Sequence, residues 1–222
     1  MTTIATSSEL LDIYDANMNH IGTATREGAH SEGLWHKCFH CWLIMQDHGG
    51  YEYLLFQRRS ATKKDFPCLL DTTAAGHLAA GEDVRDGIRE VSEEIAACIR
   101  FENLTPLGIR MSVEQRPGFH NREFAHVYLG KCRFAGWEGF HLQEEEVDGL
   151  YGINIKDGLE LFSGKRATVK AKGFSGPRAG KRLETIEIGV EDFVPRPIDG
   201  YYQKMFIAAD LYLQEYPNLA IL

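Results

Sequence analysis

Val84, Ile88, Val91 and Ile95 recur at spacings of four, three and four, the period of a helix that buries one apolar stripe. The helix expected over 83–97 also carries Glu90, Glu93 and Glu94, related as i, i+3 and i+4. Such positions stand on one face, one turn apart. Three carboxylates held so close repel each other unless a cation lies among them, and hard oxygen ligands suit Mg2+ or Mn2+. Without a cation the same pattern is a solvated acidic face. Arg89 sits roughly 100° around the helix from Glu90, and its long fork can reach a carboxylate and hold its orientation.

The flanking segments read as strands. Leu10 to Tyr14 is a short apolar run broken by Asp15-Ala-Asn-Met-Asn, and Trp35 to Met45 is rich in aromatic and apolar residues. The turn Asp47-His-Gly-Gly joins that run to Tyr51–Gln57, which makes a hairpin. Leu107 to Val113 and Glu123 to Cys132 add two strands, with Pro117-Gly118 in the loop between them. Lys156 to Phe162 reads as a short helix and Tyr201 to Tyr216 as a longer one, ended by Pro217. Strands alternating with helices make the class α/β.

The whole-chain balance narrows the function. A formal net charge of -8 argues against general nucleic-acid binding. No apolar run is long enough to cross a membrane, and the start lacks the basic-then-apolar pattern of a secretory signal. Cys38, Cys41, Cys68, Cys98 and Cys132 form an odd, scattered set, as expected of reduced thiols in a cytoplasmic protein. Cys38 and Cys41 are a Cys-x-x-Cys on a strand that would turn them to opposite faces, so neither zinc nor redox chemistry is expected there. From Gly164 to Arg182 the charge reverses: Lys165, Arg166, Lys170, Lys172, Arg178, Lys181 and Arg182 stand without an acidic residue. That segment is a solvated hairpin or a phosphate-attracting arm.

The stretch Gly76-His-Leu-Ala-Ala-Gly81-Glu82, followed by Arg89-Glu90-Val91-Ser-Glu93-Glu94, resembles the Nudix box. That box runs Gly, five residues, Glu, seven residues, then Arg-Glu-apolar-x-Glu-Glu-x-Gly-apolar. Here only Asp83 to Ile88 separate Glu82 from Arg89, one residue fewer, and the usual Gly after the Glu pair is Ala96. With Ala there, the helix is expected to run on past the pair. The resemblance implies an α/β/α sandwich with a mixed sheet over residues 1–163 and a C-terminal extension, 164–222, packed on the same domain. It implies a divalent-metal-dependent pyrophosphohydrolase of a small phosphorylated metabolite, with Mg2+ or Mn2+ on Glu90, Glu93 and Glu94. Gly76 would let the backbone approach the metal or phosphate, and Glu82 would support the loop. Such hydrolases often take a general base from a loop like Gln143-Glu-Glu-Glu146, where Glu146 is the choice here. A homodimer fits the family's habits.

The flanks resemble the branch that includes type I isopentenyl-diphosphate isomerase. They carry His30, His36-Lys-Cys-Phe39-His-Cys-Trp42-Leu43, and Arg58-Arg59-Ser-Ala-Thr-Lys63-Lys64-Asp-Phe66-Pro67. That resemblance makes Arg59 and Lys63 diphosphate ligands. It also implies a further cation on His30, His36 and His77, with Glu123; the second glutamate of the isomerase falls on Asn121. The isomerase's catalytic Cys is replaced by Ala75, which has no acid–base chemistry. Two rivals to hydrolysis remain: an isomerase-like enzyme, and a non-catalytic nucleotide-binding module.

Overall fold

Asp15 closes the first hairpin, its carboxylate accepting from the amides of Asn17 and Asn19 while Met18 turns the chain at φ 65°. In the computed structural model, which describes residues 9–116, 119–133, 135–176, 183–196 and 199–220, that hairpin joins strands β1 (Leu10–Tyr14) and β2 (His20–Thr25). Helix α1 (Arg26–Glu32) follows, capped by the Thr25 hydroxyl at its start and ended by Gly33 at φ 67°. Then come β3 (Trp35–Gln46), β4 (Glu52–Arg59), β5 (Leu70–Asp71) and β6 (Ala74–His77). Helix α2 (Arg89–Ile95) precedes β7 (Thr105–Arg116), β8 (Phe119–Lys131) and β9 (Val147–Asn154). The chain ends through α3 (Ile155–Phe162), β10 (Thr168–Ser175), β11 (Glu184–Gly189) and α4 (Tyr201–Leu213). The expected turn at Pro117-Gly118 lies outside the described residues, as do Arg178, Lys181 and Arg182.

By its own contacts the chain divides into two compact units. The first gathers the chain up to Phe39, Gly76–Gly87 and Ile109–His126. In it β1 pairs antiparallel with β2 and, through Ile13↔His36 and Tyr14↔Trp35, with the start of β3. The segment after β6 is laced on by backbone bonds, Leu78 to Lys37 and Ala80 to Leu10. Trp35 stacks on Phe124, ring centroids 4.5 Å apart.

The second unit gathers His40–Ala75, Ile88–Gly108 and Val127 to the end. Its strands run β11-β10-β9-β4, and β4 continues to the end of β3 through Ile44↔Leu54. The pairings β10·β11, β9·β10, β4·β9 and β3·β4 are all antiparallel. The residues beyond Gly164 thus supply two strands of this sheet and a helix, α4, that packs on α3. Phe56, Phe162, Phe193, Tyr202 and Phe206 form the aromatic core between them. Tyr201 and Tyr202 are buried, and the Trp42 indole donates to the Tyr201 hydroxyl at 2.9 Å.

The helix expected over 83–97 is shorter than its periodicity suggests. Asp83 and Asp86 tie their own turn, the Asp86 carboxylate accepting from the Asp83 amide and the Asp83 carboxylate from the Arg85 amide. Gly87 lies so close to Phe39 that a Cβ there would stand 2.5 Å from the Phe39 Cβ. At the other end the helix does not run on: Ala96 takes φ 52°, ψ 24°, the left-handed cap that the usual glycine would adopt.

Candidate functional site

Helix α2 presents its three carboxylates in unequal settings. Glu94 is buried and its Oε2 accepts from the Ala75 amide at 3.0 Å. Burial, and then the charge of Glu90, push its acid up to about 8, against the pull of that amide and of Lys63. Glu90 is nearly as enclosed, whereas Glu93 is 55% exposed. Arg89 donates to Glu90 in a tight pair and reaches Glu93 at 3.5 Å. A buried carboxylic acid beside a second carboxylate fits a divalent cation, which would replace the proton and relieve both charges.

Two loops meet this helix inside the second unit. The Gln143 amide donates to the Glu94 carbonyl and the His141 amide to the Ile95 carbonyl. The same loop bonds the one after β4, through the Ser60 amide to the Glu146 carbonyl and the Thr62 hydroxyl to the Glu145 carbonyl. Lys63 and Glu146 form a tight ion pair. The residue expected to bind phosphate and the residue expected to act as base therefore hold each other here. Phe66 and Cys68 take φ 49° and 64°, two left-handed non-glycine residues in a loop whose start and end are bonded between Arg59 and Leu69.

Arg59 donates through Nε to the Asp65 carbonyl at 3.0 Å and lies 3.5 Å from Asp71. Sequence reasoning passed over Asp71, which is buried and also meets Arg196 at 3.2 Å and the Tyr202 hydroxyl at 3.3 Å. Burial opposes its charge, yet Arg196, Arg59 and the Thr72 amide hold its acid below the ordinary value. An aspartate inside the apolar run Cys68-Leu-Leu-Asp71 was the available signal, since a buried carboxylate needs a partner.

The first unit holds the other set of expected ligands. The ligand nitrogens of His30, His36 and His77 all lie within 4.8 Å of one another. Glu123 stands 3.6 Å from His77. The His36 Nδ1 donates to the Leu34 carbonyl at 2.9 Å, which leaves Nε2 carrying the lone pair. That Nε2 is buried without a hydrogen-bond partner, as are the Nε2 of His30 and the Oδ1 of Asn121. Burial, then His77 and His36, push the His30 imidazolium down to about 4, and burial and His77 lower His36 as well. The converging imidazoles, with the orphaned Nε2 atoms of His30 and His36, fit a transition-metal cation.

Two cations of the described part of the basic segment are paired. Arg166 pairs with Asp157 and Glu160 of α3, and Lys172 with the buried Asp47. Gly76 directly follows the Ala75 amide that bonds Glu94, and the Glu82 carboxylate accepts from the Ala79 amide at 2.8 Å.

The family model of the NUDIX domain matches residues 34–154, more than half of the 222. The chain belongs to the Nudix family. An uncharacterised Nudix hydrolase of Clostridium acetobutylicum is 36% identical over 197 residues, 88% of this chain and 94% of that protein. A second, from Streptomyces coelicolor, is 32% identical over 78% of this chain and 96% of its own length. Among solved structures, DR0079 from Deinococcus radiodurans superposes with a TM-score of 0.50 at 18% identity, over 76% of this chain and 93% of that one. That likeness shows the shared α/β fold, and the chain is a hydrolase of this family.

Proposed function

We propose that this Nudix hydrolase cleaves the diphosphate linkage of a small phosphorylated metabolite, a nucleoside diphosphate derivative or a nucleoside triphosphate, with Mg2+ or Mn2+. The observation that carries this is the buried Glu94 beside Glu90, with Lys63 acting on Glu94 electrostatically from the adjoining loop. Glu90, Glu93 and Glu94 hold the cation, with Arg89 fixing the first two. When bound, the cation supplies the positive charge that neutralises the diphosphate and favours an ionised nucleophile. Arg59 binds phosphate oxygens as a fork and Lys63 as a point charge. Glu146 takes the proton from the attacking water once phosphate has drawn Lys63 away from it. Two phosphate-binding side chains support a diphosphate.

Isomerisation is disfavoured because Ala75, where the isomerase has its Cys, offers only a backbone amide, and that amide is bonded to Glu94. Five free cysteines support a reducing, cytoplasmic setting. Among the described residues no helix is long and apolar enough to cross a membrane.

The test is product release from a panel of nucleoside diphosphate sugars, nucleoside triphosphates and isopentenyl diphosphate. Turnover with Mg2+ or Mn2+ should fall by about 10²-fold or more in Glu94→Gln, the loss typical when a charge-stabilising group leaves a site. A nucleotide that raises the melting temperature without being consumed would instead establish a binding module.

A further inference from the structure

Four residues converge on one buried carboxylate. The Thr72 amide donates to Asp71 Oδ1 at 2.8 Å, and the Tyr202 hydroxyl lies 3.3 Å from the same oxygen. Arg196 Nη2 lies 3.2 and 3.4 Å from the two oxygens, and Arg59 Nη1 lies 3.5 Å from Oδ2. Two of these groups, Arg196 and Tyr202, come from the C-terminal segment. The Tyr202 hydroxyl shares its one proton between Asp71 and the Val194 carbonyl, 3.0 Å away, and Val194 donates its own amide to the Leu70 carbonyl. The segment is thus clipped to the strand that carries Asp71 by both backbone and side chain.

Arg59 is held at Nε by a hydrogen bond to the Asp65 carbonyl, and its Nη1 lies 3.5 Å from Asp71 as an ion pair without a hydrogen bond. One hydrogen bond at Nε and the Asp71 charge beside Nη1 together favour one plane for the guanidinium and one direction for its remaining N–H groups. Orientation of this kind is what a phosphate ligand needs before the substrate arrives. We propose that Asp71 is a positioning residue for phosphate binding: it fixes the Arg59 fork, and Arg196 and Tyr202 fix Asp71. The C-terminal segment then sets phosphate affinity without touching phosphate. This rests on the reading of Arg59 as a phosphate ligand.

The probe is inorganic pyrophosphate with Mg2+, titrated calorimetrically into the full chain and its variants, with melting temperatures alongside. Tyr202→Phe keeps the buried ring and removes only the hydroxyl. It should weaken pyrophosphate by several-fold, up to roughly tenfold, the effect of losing a group that orients a ligand. Asp71→Asn and Arg59→Lys should weaken it at least as much. The double variant Arg59→Lys with Tyr202→Phe should bind no worse than Arg59→Lys alone, because both act through one fork. For a substrate that is turned over, Tyr202→Phe should raise KM while kcat stays within about twofold. If Asp71→Asn does not fold, Tyr202→Phe carries the test. A Tyr202→Phe protein that melts earlier yet binds pyrophosphate as the wild type does, while Arg59→Lys binds it poorly, overturns the positioning role alone. An unchanged Kd in Arg59→Lys, or no binding to the wild type, removes the phosphate reading beneath it.

Discussion

Glu94 takes a hydrogen bond of 3.0 Å from the amide of Ala75, a neutral donor to a carboxyl buried beside Glu90. The acid is therefore pushed up to about 8 in the fold, against 4.5 in the unfolded chain. Between those values the native state holds a proton that the unfolded state has lost, so stability falls as pH rises. Glu94's contribution is fully present below about 4.5 and is lost as pH climbs through about 8. The metal-free protein should lose a few kcal/mol over that window, on the order of 5–10 °C in Tm for a chain this size. Thermal unfolding in EDTA at several pH values reads it directly. Glu94→Gln should flatten the slope, and Mg2+ should suppress it in the wild type. A Tm slope that survives Glu94→Gln would place the responsible proton elsewhere.

Much of this architecture was legible in the chain. The strands at 10–14, 35–45 and 51–57 and the helices at 156–162 and 201–216 come out within a few residues of their expected ends, because apolar and aromatic runs bounded by turn residues and proline mark buried elements. Other parts were hidden. Helix α1, which carries His30, spans only seven residues and shows no apolar stripe, and β2 is exposed along much of its length. Strand β10 was masked by Lys170 and Lys172, which alternate outward while Val169 and Ala171 face in. The expectation of a longer α2 failed on side-chain chemistry: Asp83 and Asp86 satisfied their own turn more locally than a helix would. In the candidate site, the carboxylate spacing put Glu90, Glu93 and Glu94 on one short helix. It could not give the exposure difference between Glu93 and Glu94, nor the contacts of Asp71 with residues more than a hundred positions away, because both depend on tertiary packing.

Ala96 invites a stabilising substitution. A left-handed conformation costs an L-residue roughly 1–2 kcal/mol, and glycine adopts it freely. Part of the gain is lost because glycine has more freedom in the unfolded chain. Ala96→Gly should raise stability by roughly 0.5–1 kcal/mol, seen as a higher urea midpoint at unchanged m. A lower midpoint would mean that the Ala96 methyl makes contacts worth more than the backbone strain.

Gly158 on α3 tests the docking of the C-terminal helix. A Cβ at this position would stand 2.1 Å from the Phe206 ring of α4. The ring is fully buried against Phe56 and Phe162 and has no room to retreat. Gly158→Ala should destabilise by about 1–3 kcal/mol, the usual range for overpacking. Phe206→Leu costs stability alone by leaving a cavity, but should recover part of the Gly158→Ala loss when the two are combined. Strict additivity in chemical unfolding would show that α3 and α4 do not press on each other there.

The histidine cluster makes a different prediction from the carboxylate site. With their acids pushed down, His30 and His36 are already neutral at pH 7. A cation entering there displaces no proton from either ring, whereas one entering beside Glu94 displaces the proton held to about pH 8. Calorimetry in two buffers of different ionisation enthalpy separates the two events. Mg2+ binding at pH 7 should release up to one proton, and Glu94→Gln should abolish that release. Co2+ should bind additionally with little proton release and develop a visible absorption band. His36→Gln should weaken the Co2+ event by about tenfold or more while leaving the Mg2+ event intact. Loss of a ligand whose Nδ1 is anchored to the Leu34 carbonyl removes both the lone pair and its fixed direction, which is why the effect should be large. Equal weakening of both events in His36→Gln would show that the two clusters are not independent cation sites.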